Sequence, residues 1–571
     1  MTDQQVDVVV VGSGFGASVA ALRFAESGKS VMILERGGWI TRDNFEADDD
    51  MLWQPNNKRF GMNDFRTRGA HIIPWLGAGV GGGSHVYAAT LKRRDFFDDF
   101  PGKLTVDQMA PYYDRAEQMM DAMKYPDHPP YSNLPAYELF RDAEKKMAQD
   151  FPDSIEKHGD ILLGISFAPA DKKPGKKFVN RHGASQRYSD PGEQKILGGD
   201  IDVKNTLDKN YLFVAQKHGA VITPFAEVTK IFTVEDGYRI EFVDPRTQDG
   251  KARYVKAKFV IVGAGSIGST ELLMKNKLEF NTLPNLSEKL GHGYYSNGDY
   301  VTFLVPKKGL LISWLGLLAG IIGCFIFQLW LIILGFSAYF VGWWLSDSKI
   351  KPDVGSTNSD YIRFKHRDGT TQGAYIEGGR YPTPIKAVTA IILSLLGQYN
   401  PETYIKINRR INFLYTYIPF IELIGRSWPV PILMMGRDDA YGTFNLNEDG
   451  EVEIDFKFDQ NEEYIAYIEK WGKAFSKRAK SYFISNIIAR YLKIVEVPHN
   501  LGGVPMGDTA DDGVVDTYGR VYNYPNLMVL DGSIIPCSLG PNPANTILAL
   551  AERAMEKVLD QVTETGEITT E

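Results

Sequence analysis

The sequence predicts an α/β fold in which a unit built on a parallel sheet is combined with an α+β lobe that carries an antiparallel sheet. Two observations predict the parallel unit: an apolar, β-branched run leads directly into closely spaced glycines, and a segment with helical periodicity follows them. A third observation predicts the antiparallel sheet, because Gly442–Asp459 has the pattern strand, turn at "EDG", strand.

The composition is that of a large globular protein. The chain has 571 residues, of which 44% are hydrophobic and 23% charged, and its net charge of −8 comes without a long basic run. This balance argues against nucleic acid as a partner. The two cysteines, Cys324 and Cys537, and the nine scattered histidines form no metal-binding pattern, so we expect neither a metal site nor a disulfide framework.

The first element is a dinucleotide-binding fingerprint at the N-terminus. Val6–Val11 is suited to a buried parallel strand, and the helix that follows the glycines ends at Gly28. The glycines allow a tight turn and let the backbone approach a pyrophosphate, which would lie on the helix N-terminus. The predicted pyrophosphate loop therefore contains Gly12, Gly14 and Gly16, with Ala17 at the small third position of the fingerprint.

A second strand closes on Glu35, about 20 residues beyond the glycines, as the fingerprint requires. Its carboxylate would accept a hydrogen bond from a ribose hydroxyl and would repel a 2′-phosphate, so NADP is disfavoured. A glycine turn with no ligand is the alternative reading. It is disfavoured because strand, glycines, helix, second strand and terminal acid occur together in register.

Two further glycine-rich segments decide which dinucleotide is expected. Leu76–Thr90 contains Gly79, Gly81, Gly82 and Gly83, which an NAD enzyme does not need but an FAD enzyme can use. Ala257–Met274 could be a second nucleotide fingerprint, but no strand with a terminal acid follows it. We therefore predict a strand that re-enters the FAD domain and passes close to the cofactor at Gly263 to Gly265.

The C-terminal block carries the predicted chemistry. "NLMVLDGS" is an apolar strand that ends at Asp531, and "NPANTILALAERAMEKV" is a helix with Pro543 in its first turn and Asn542 before it. That helix start is suited to face a flavin edge. His499 lies upstream in an irregular "PHNLGG" stretch.

With these motifs the chain resembles the glucose–methanol–choline (GMC) oxidoreductases, in particular their cholesterol oxidase-like branch. The resemblance rests on "VVVVGSGFGASVAALRFAESGKSVMILERG", "GAGVGGGSHVYAATL", "GAYIEGGRYP", "HNLGGVPMG", "YGRVYNYPNLMVLDGS" and "GPNPANTILALAER". It implies that His499 is the active-site histidine, that Asn542 is its partner, and that Glu377 lies in the substrate pocket. Together these three are the predicted catalytic residues.

The resemblance also implies the residues that contact the flavin. Asp531 matches a flavin-contacting aspartate. The complete predicted cofactor set is Gly12, Gly14, Gly16, Glu35, Gly79, Gly82, Gly83, Ser84, His85, Val228, Gly263, Ala264, Asp531, Gly532, Asn542 and Pro543. His85 replaces an apolar residue of the relatives, and some branches of the family carry a histidyl–FAD bond. A non-covalent site is the favoured prediction.

An uncharged apolar run, residues 309–345, interrupts the substrate lobe. A single membrane crossing would separate Gly12 and His499, which must meet at one flavin, by the ~30 Å hydrocarbon core. Two arrangements stay open: a helical hairpin that enters and leaves the bilayer by one face, or a monotopic plug. Lysines on both flanks favour the cytoplasmic side for both ends.

Further apolar segments follow at residues 385–399 and 411–435, and both interfacial helices and buried core are open for them. The N-terminus carries no secretory signal, so the sequence predicts a cytoplasmic catalytic body attached to a membrane. The FAD-binding domain is expected to comprise about 1–100, 196–285 and 495–571, and the substrate lobe 101–195 and 286–494.

Three functional hypotheses follow from these features. The first is a membrane-associated FAD alcohol oxidase or dehydrogenase acting on a sterol or long-chain alcohol, with O₂ as electron acceptor and membrane lipid as partner. The second keeps the class but passes the electrons to a quinone. The third is a non-catalytic binding module on a flavoprotein-like scaffold, against which the intact fingerprint and the His499/Asn542 pair argue.

Overall fold

The computed structural model describes residues 4–41, 52–65, 69–191, 202–247, 250–307, 358–378, 430–448, 450–486 and 488–570, together with position 337. The apolar run 309–345, apart from that position, and residues 385–399 and 411–429 lie outside this set. No helix formed by the described residues is long and apolar enough to cross a membrane.

The α-helices of the described part are α1 (Phe15–Glu26), α2 (Val106–Met119), α3 (Pro135–Asp150), α4 (Tyr211–Lys217), α5 (Gly265–Met274), α6 (Glu462–Arg478) and α7 (Ala544–Thr565). Its strands are β1 (Gln4–Val11), β2 (Val31–Glu35), β3 (Trp53–Gln54), β4 (Arg59–Phe60), β5 (Asn63–Asp64), β6 (Ile72–Pro74), β7 (Leu76–Gly77), β8 (Met123–Lys124), β9 (Ile155–Asp160), β10 (Leu162–Leu163), β11 (Lys177–Val179), β12 (Ser185–Arg187), β13 (Val221–Pro224), β14 (Glu227–Val234), β15 (Gly237–Val243), β16 (Arg253–Val262), β17 (His292–Tyr294), β18 (Tyr300–Pro306), β19 (Asp360–Phe364), β20 (Ala374–Gly378), β21 (Val430–Gly436), β22 (Gly442–Leu446), β23 (Val452–Phe456), β24 (Ser481–Ile484), β25 (Val495–Val497) and β26 (Leu527–Val529).

The largest sheet has seven strands in the order β13-β2-β1-β16-β15-β14, with β26 pairing on β16. β13, β2, β1, β16 and β26 run parallel, whereas β15 and β14 are antiparallel additions. Val8, Val9 and Val10 in β1 are fully buried, as expected for a strand covered on both faces. The parallel unit and the re-entry of the Arg253–Val262 strand into it confirm the predicted fold class.

α1 lies on this sheet, and two further helices pack on α1 and bring distant parts of the chain together. α1 packs against α7 and α4. Arg23 of α1 donates to the fully buried carboxylate of Glu552 in α7 at 2.7 Å, and Tyr211 of α4 donates to the same carboxylate at 2.8 Å. This buried junction ties α7 to the glycine-loop helix and so places the start of α7 beside the loop.

The second large sheet is antiparallel throughout, with six strands in the order β24-β18-β21-β20-β19-β9. α3 and α6 pack against each other and against strands of this sheet. The sheet confirms the prediction of an antiparallel sheet outside the parallel unit. The domain boundaries themselves stay a prediction.

Two expectations about individual elements need correction, and one open alternative is decided for the residues that the structure describes. The Gly442–Asp459 hairpin forms as β22 and β23, but it pairs with the short β17 in a separate three-stranded sheet. For residues 430–435, the end of the apolar segment 411–435, the buried-core alternative holds, because they lie in the buried strand β21. Pro543 immediately precedes α7 instead of lying in its first turn.

Candidate active site

A cavity of about 670 Å³ runs between the two large sheets. Three glycine-rich segments, distant in sequence, meet in its wall: the turn after β1, the segment after β7 and the turn after β16. The predicted site residues that line it are Gly12, Gly14, Glu35, Gly82, Gly83, Val228, Gly263, Ala264, His499, Asp531, Gly532, Asn542 and Pro543.

The glycines of this wall are required by close backbone contacts. Gly12 has φ +88°, and a Cβ there would lie 2.5 Å from the carbonyl oxygen of Gly263. A Cβ at Gly82 would lie 2.9 Å from Cα of Gly14. Larger residues would separate the three segments, so each glycine keeps the backbone close to the cavity.

Glu35 ends β2 at the cavity wall with its carboxylate largely buried. It accepts hydrogen bonds from Ser13 Oγ at 2.6 Å, from the Gly37 N–H at 2.9 Å and from the Gly79 N–H at 3.3 Å. Burial raises its pKa, and the bonds from Ser13 and Gly37 oppose that effect. The carboxylate therefore joins the first and second glycine segments and presents an acceptor at the predicted ribose position.

Four predicted contact residues do not line the cavity. Gly16 packs against the backbone of Leu530, where a Cβ would lie 2.1 Å from the carbonyl oxygen. Gly79 contributes its N–H to Glu35, and Ser84 Oγ donates to Gly81 O at 2.7 Å and accepts from Leu207 N at 3.1 Å. These residues shape the loops behind the wall.

His85 is the fourth of these residues, and it is almost fully buried. Its Nε2 lies 2.7 Å from the carbonyl oxygen of Val80 and 3.6 Å from Asp208 Oδ1. Burial lowers its pKa, so the neutral ring donates from Nε2 to that carbonyl. A side chain held in this way is directed into the protein, which favours the non-covalent site.

Asp531 lines the cavity where β26 ends, and its carboxylate is bonded internally. It accepts from Gly265 N at 2.9 Å and Ser269 Oγ at 2.5 Å on one oxygen, and from Ser533 N and Oγ on the other. Burial raises its pKa against these bonds. Asp531 thus links β26 to the turn after β16 and holds the third glycine segment in place.

His499 and Asp299 form a buried pair at the cavity wall. His499 Nδ1 lies 2.7 Å from Asp299 Oδ1, and the His499 backbone N–H donates to Oδ2 at 3.2 Å. Burial by itself lowers the pKa of His499, but Asp299, which is fully buried, outweighs it, so the net pKa is raised. Because Nδ1 is engaged, Nε2 is the ring nitrogen left to meet a ligand.

Asn542 and Glu377 lie next to this pair. Asn542 Nδ2 donates to Glu377 Oε2 at 3.4 Å, and Asn358 Nδ2 donates to the same oxygen at 2.7 Å. Glu377 is fully buried in β20 just behind the cavity wall, and burial raises its pKa to about 7. Within the described part of the chain, Asn542 Oδ1 and Glu377 Oε1 have no hydrogen-bond partner.

Sequence reasoning missed three residues of this site. Asp299 lies 200 positions before His499 and carries no motif of its own. Asn358 precedes β19 beyond the apolar run. Glu496 lines the cavity three residues before His499, and burial raises its pKa to about 7. Only Glu496 could have been found from the sequence. In "VEVPHN" it alternates with Val495 and Val497, which are buried, so its side chain is predicted to face the opposite side of the strand.

One wall of the cavity is apolar and belongs to the antiparallel sheet. Val301 and Phe303 of β18, Leu433 of β21 and Ile484 of β24 all line it. The register places Val301 opposite Leu433 and Phe303 opposite Ile484, so the four side chains share one sheet face. This face can bury an apolar ligand body beside His499.

The geometry fits an FAD. The cavity extends from Glu35 past the N-terminus of α1, where the first N–H groups have no intrahelical partner, to His499 and Asn542. Glu35 would hold a ribose, the glycine turn a pyrophosphate, and Gly263, Gly532 and Pro543 would lie along the flavin. No group of three His, Cys, Asp or Glu side chains among the described residues could hold a metal ion.

Comparison with known proteins agrees with this geometry. The GMC oxidoreductase family matches residues 444–551, and the FAD binding domain family matches residues 7–41. The chain is 26% identical to a cholesterol oxidase of Acinetobacter baumannii over 97% of this chain and 94% of the relative. It is 26% identical to a cholesterol oxidase of Mycobacterium tuberculosis over 96% of this chain and 90% of the relative.

A solved structure extends the comparison to the whole fold. The crystal structure of pyridoxine 4-oxidase from "Mesorbium loti" superposes with a TM-score of 0.54 at 16% identity, covering 97% of this chain and 99% of that one. At this identity the similarity concerns the fold alone.

Proposed function

Because the chain is a GMC-type, FAD-dependent oxidoreductase, we propose that it oxidises the CH–OH group of a lipophilic alcohol, either a sterol or a long-chain alcohol. The observation that carries the proposal is the apolar sheet face of Val301, Phe303, Leu433 and Ile484 in the same cavity as the His499–Asp299 pair. An apolar wall of this kind would bury a hydrocarbon body, and the histidine would meet its hydroxyl group. The full-length similarity to cholesterol oxidases supports the same substrate class.

The roles of the side chains follow from their hydrogen bonds. FAD, when bound, supplies the hydride acceptor. Asp299 holds the Nδ1–H of His499, so the neutral ring presents the Nε2 lone pair and can take the hydroxyl proton. Asn542 uses one amide hydrogen on Glu377 and has a second that can donate to the substrate oxygen. Together they would position the alcohol and stabilise the carbonyl that forms.

Glu377 is assigned a second role at the same site. A carboxyl whose pKa burial raises to about 7 can both accept and release a proton near neutral pH. It is hydrogen-bonded to Asn542, which lines the cavity where the product would lie. We therefore assign it a proton transfer that follows oxidation, as in the isomerisation of a sterol-derived ketone.

The proposed location is a membrane surface, with the catalytic body on the cytoplasmic side. Four large apolar side chains are exposed near the end of the cavity that Ile484, Asn486 and Ile488 line: Tyr482, Ile484, Tyr491 and Leu492, with Tyr491 78% exposed. Arg490 directly precedes Tyr491, and Lys307 Nζ lies 5.2 Å from the centre of the Tyr482 ring. The apolar run begins two residues after Lys307. Apolar side chains flanked by cations are typical of a surface that meets anionic lipid.

The test is anaerobic reduction of the bound flavin by a panel of alcohols dispersed in detergent. We expect sterols or long-chain alcohols to bleach the oxidised flavin faster than small polar alcohols do. Admission of O₂ with peroxide formation would identify an oxidase, whereas reoxidation by a quinone alone would identify a dehydrogenase. If polar alcohols bleach the flavin and no lipophilic alcohol does, the proposed substrate class is wrong.

A further inference from the structure

A buried lysine lies beside Glu377, and the proposed chemistry does not use it. Lys92 Nζ is 2.6 Å from the centre of the Tyr361 ring and 5.6 Å from that of Tyr375. Tyr361 and Glu377 are directly opposite each other in the antiparallel β19–β20 pair, so their side chains are neighbours on one sheet face. The ammonium group therefore lies on the sheet face that carries the carboxylate and acts on it through space, without a direct ion pair.

A second connection joins the same two residues. Asn358 Nδ2 donates both to Glu377 Oε2 at 2.7 Å and to Thr90 Oγ1 at 3.0 Å, and Thr90 lies two residues before Lys92. Glu377 Oε1 has no hydrogen-bond partner among the described residues. A fully buried carboxylate with one unbonded oxygen needs a nearby cation to remain ionised.

We propose that Lys92 is a positioning residue that sets the protonation state of Glu377 and thereby decides whether Glu377 receives or gives a proton at the bound ligand. The assignment rests on the proposed function for the role of Glu377 in turnover. The electrostatic pairing of Lys92 with Glu377 does not depend on the proposed function.

Burial and mutual attraction act in opposite directions on the charges of Lys92 and Glu377. Burial raises the pKa of Glu377, and the positive charge of Lys92 lowers it. Burial also lowers the pKa of Lys92 well below its usual value, and Glu377 opposes that effect. Burial thus disfavours the charge on each partner, and the charge of each partner favours the charge of the other.

Other charged groups face the pair from both sides. On the cavity side, the positive charge of His499 lowers the pKa of Glu377, and Asp299 raises it. On the outer side, Arg363, Asp95 and Lys157 act on Lys92.

Asp95 already has cations of its own. Arg363 donates to it at 2.7 Å, and Lys157 forms a further ion pair with it. Of the two carboxylates, Glu377 raises the pKa of Lys92 more than Asp95 does. Glu377 is therefore the main electrostatic partner of Lys92.

The experiment is an infrared pH titration of the Glu377 carboxyl in the FAD-loaded enzyme without substrate. The band of the protonated carboxyl is assigned by its loss in Glu377→Gln. In Lys92→Met we expect the midpoint to rise by about 1–3 pH units, because the cation that lowers the pKa is gone. Lys92→Arg retains a cation and should keep the midpoint near that of the wild type.

Lys157→Met is the matched control. It removes the same charge from a side chain that is 54% exposed and pairs with Asp95, so the midpoint should move far less than in Lys92→Met. An unchanged midpoint in Lys92→Met, or equal shifts in both variants, overturns the proposal. If Lys92→Met does not retain FAD, Lys92→Gln takes its place with the same expectation. The titration needs no substrate. If no alcohol reduces the flavin, the proposed function is wrong, but the titration still tests the pairing of Lys92 with Glu377.

Discussion

Replacement of His499 by asparagine tests the assigned base with the least disturbance of its surroundings. In the present structure His499 Nδ1 lies 2.7 Å from Asp299 Oδ1. The amide nitrogen of Asn takes the place of Nδ1 and can still donate to that oxygen, whereas Nε2 is removed. Without this donor the fully buried Asp299 would lose a charge-assisted bond, at a cost of about 1–3 kcal/mol. We therefore expect His499→Asn to stay folded and to bind FAD.

The expected loss is in the rate of flavin reduction. A positioned general base contributes ~10²–10⁴-fold, which corresponds to about 3–5.5 kcal/mol of transition-state stabilisation. Anaerobic stopped-flow measurement of flavin bleaching under saturating alcohol gives this rate directly. His292→Asn, the same change at an exposed histidine of β17, is the control and should leave the rate unchanged. A loss smaller than tenfold in His499→Asn would refute the role of His499 as base.

Further predictions concern pH, stability and cofactor attachment. Asp299→Asn removes the charge that raises the pKa of His499, so the acidic limb of the pH profile for flavin reduction should move to lower pH; a shift to higher pH would contradict the pairing. Burial raises the pKa of Glu496 to about 7, so ionisation costs stability as pH rises through about 4.5–7; Glu496→Gln should raise Tm at pH 8 more than at pH 5, and an equal effect at both would be inconsistent with this. Gly12→Ala combines a positive φ with a 2.5 Å approach to Gly263 O and should destabilise the protein by more than about 1 kcal/mol in denaturant titration, whereas Gly28→Ala, also at positive φ but with open space around it, should cost less. Acid precipitation should release all the flavin, because His85 Nε2 is held by Val80 O; retained flavin would indicate a covalent bond.

The sequence predicted those parts of the site that depend on local pattern. Gly12, Gly14 and Glu35 belong to one strand–turn–helix–strand unit, and the backbone conformations they require are encoded within it. His499 and Asn542 were found by resemblance, and the fold brings both to one cavity wall. Asp299 could not be found in this way, because its relation to His499 exists only after the start of β18 and the loop after β25 have come together.

Other misses have the same physical origin. The hairpin β22–β23 was predicted from its turn, but its partner β17 has three residues and an irregular register, so it leaves no periodic signal. A short apolar run such as residues 430–435 cannot be assigned to strand or helix by periodicity alone. His85 follows the glycines in sequence, yet its ring turns away from the cavity because the Val80 carbonyl needs a donor.

The most direct test of alcohol oxidation in this cavity is a single anaerobic turnover with an alcohol deuterated at its carbinol carbon. If the C–H bond of a CH–OH group is broken as the flavin is reduced, bleaching should be slower than with the unlabelled alcohol. One equivalent of the aldehyde or ketone should form per flavin, as measured by mass spectrometry. Bleaching at an unchanged rate without a carbonyl product would contradict the assigned reaction.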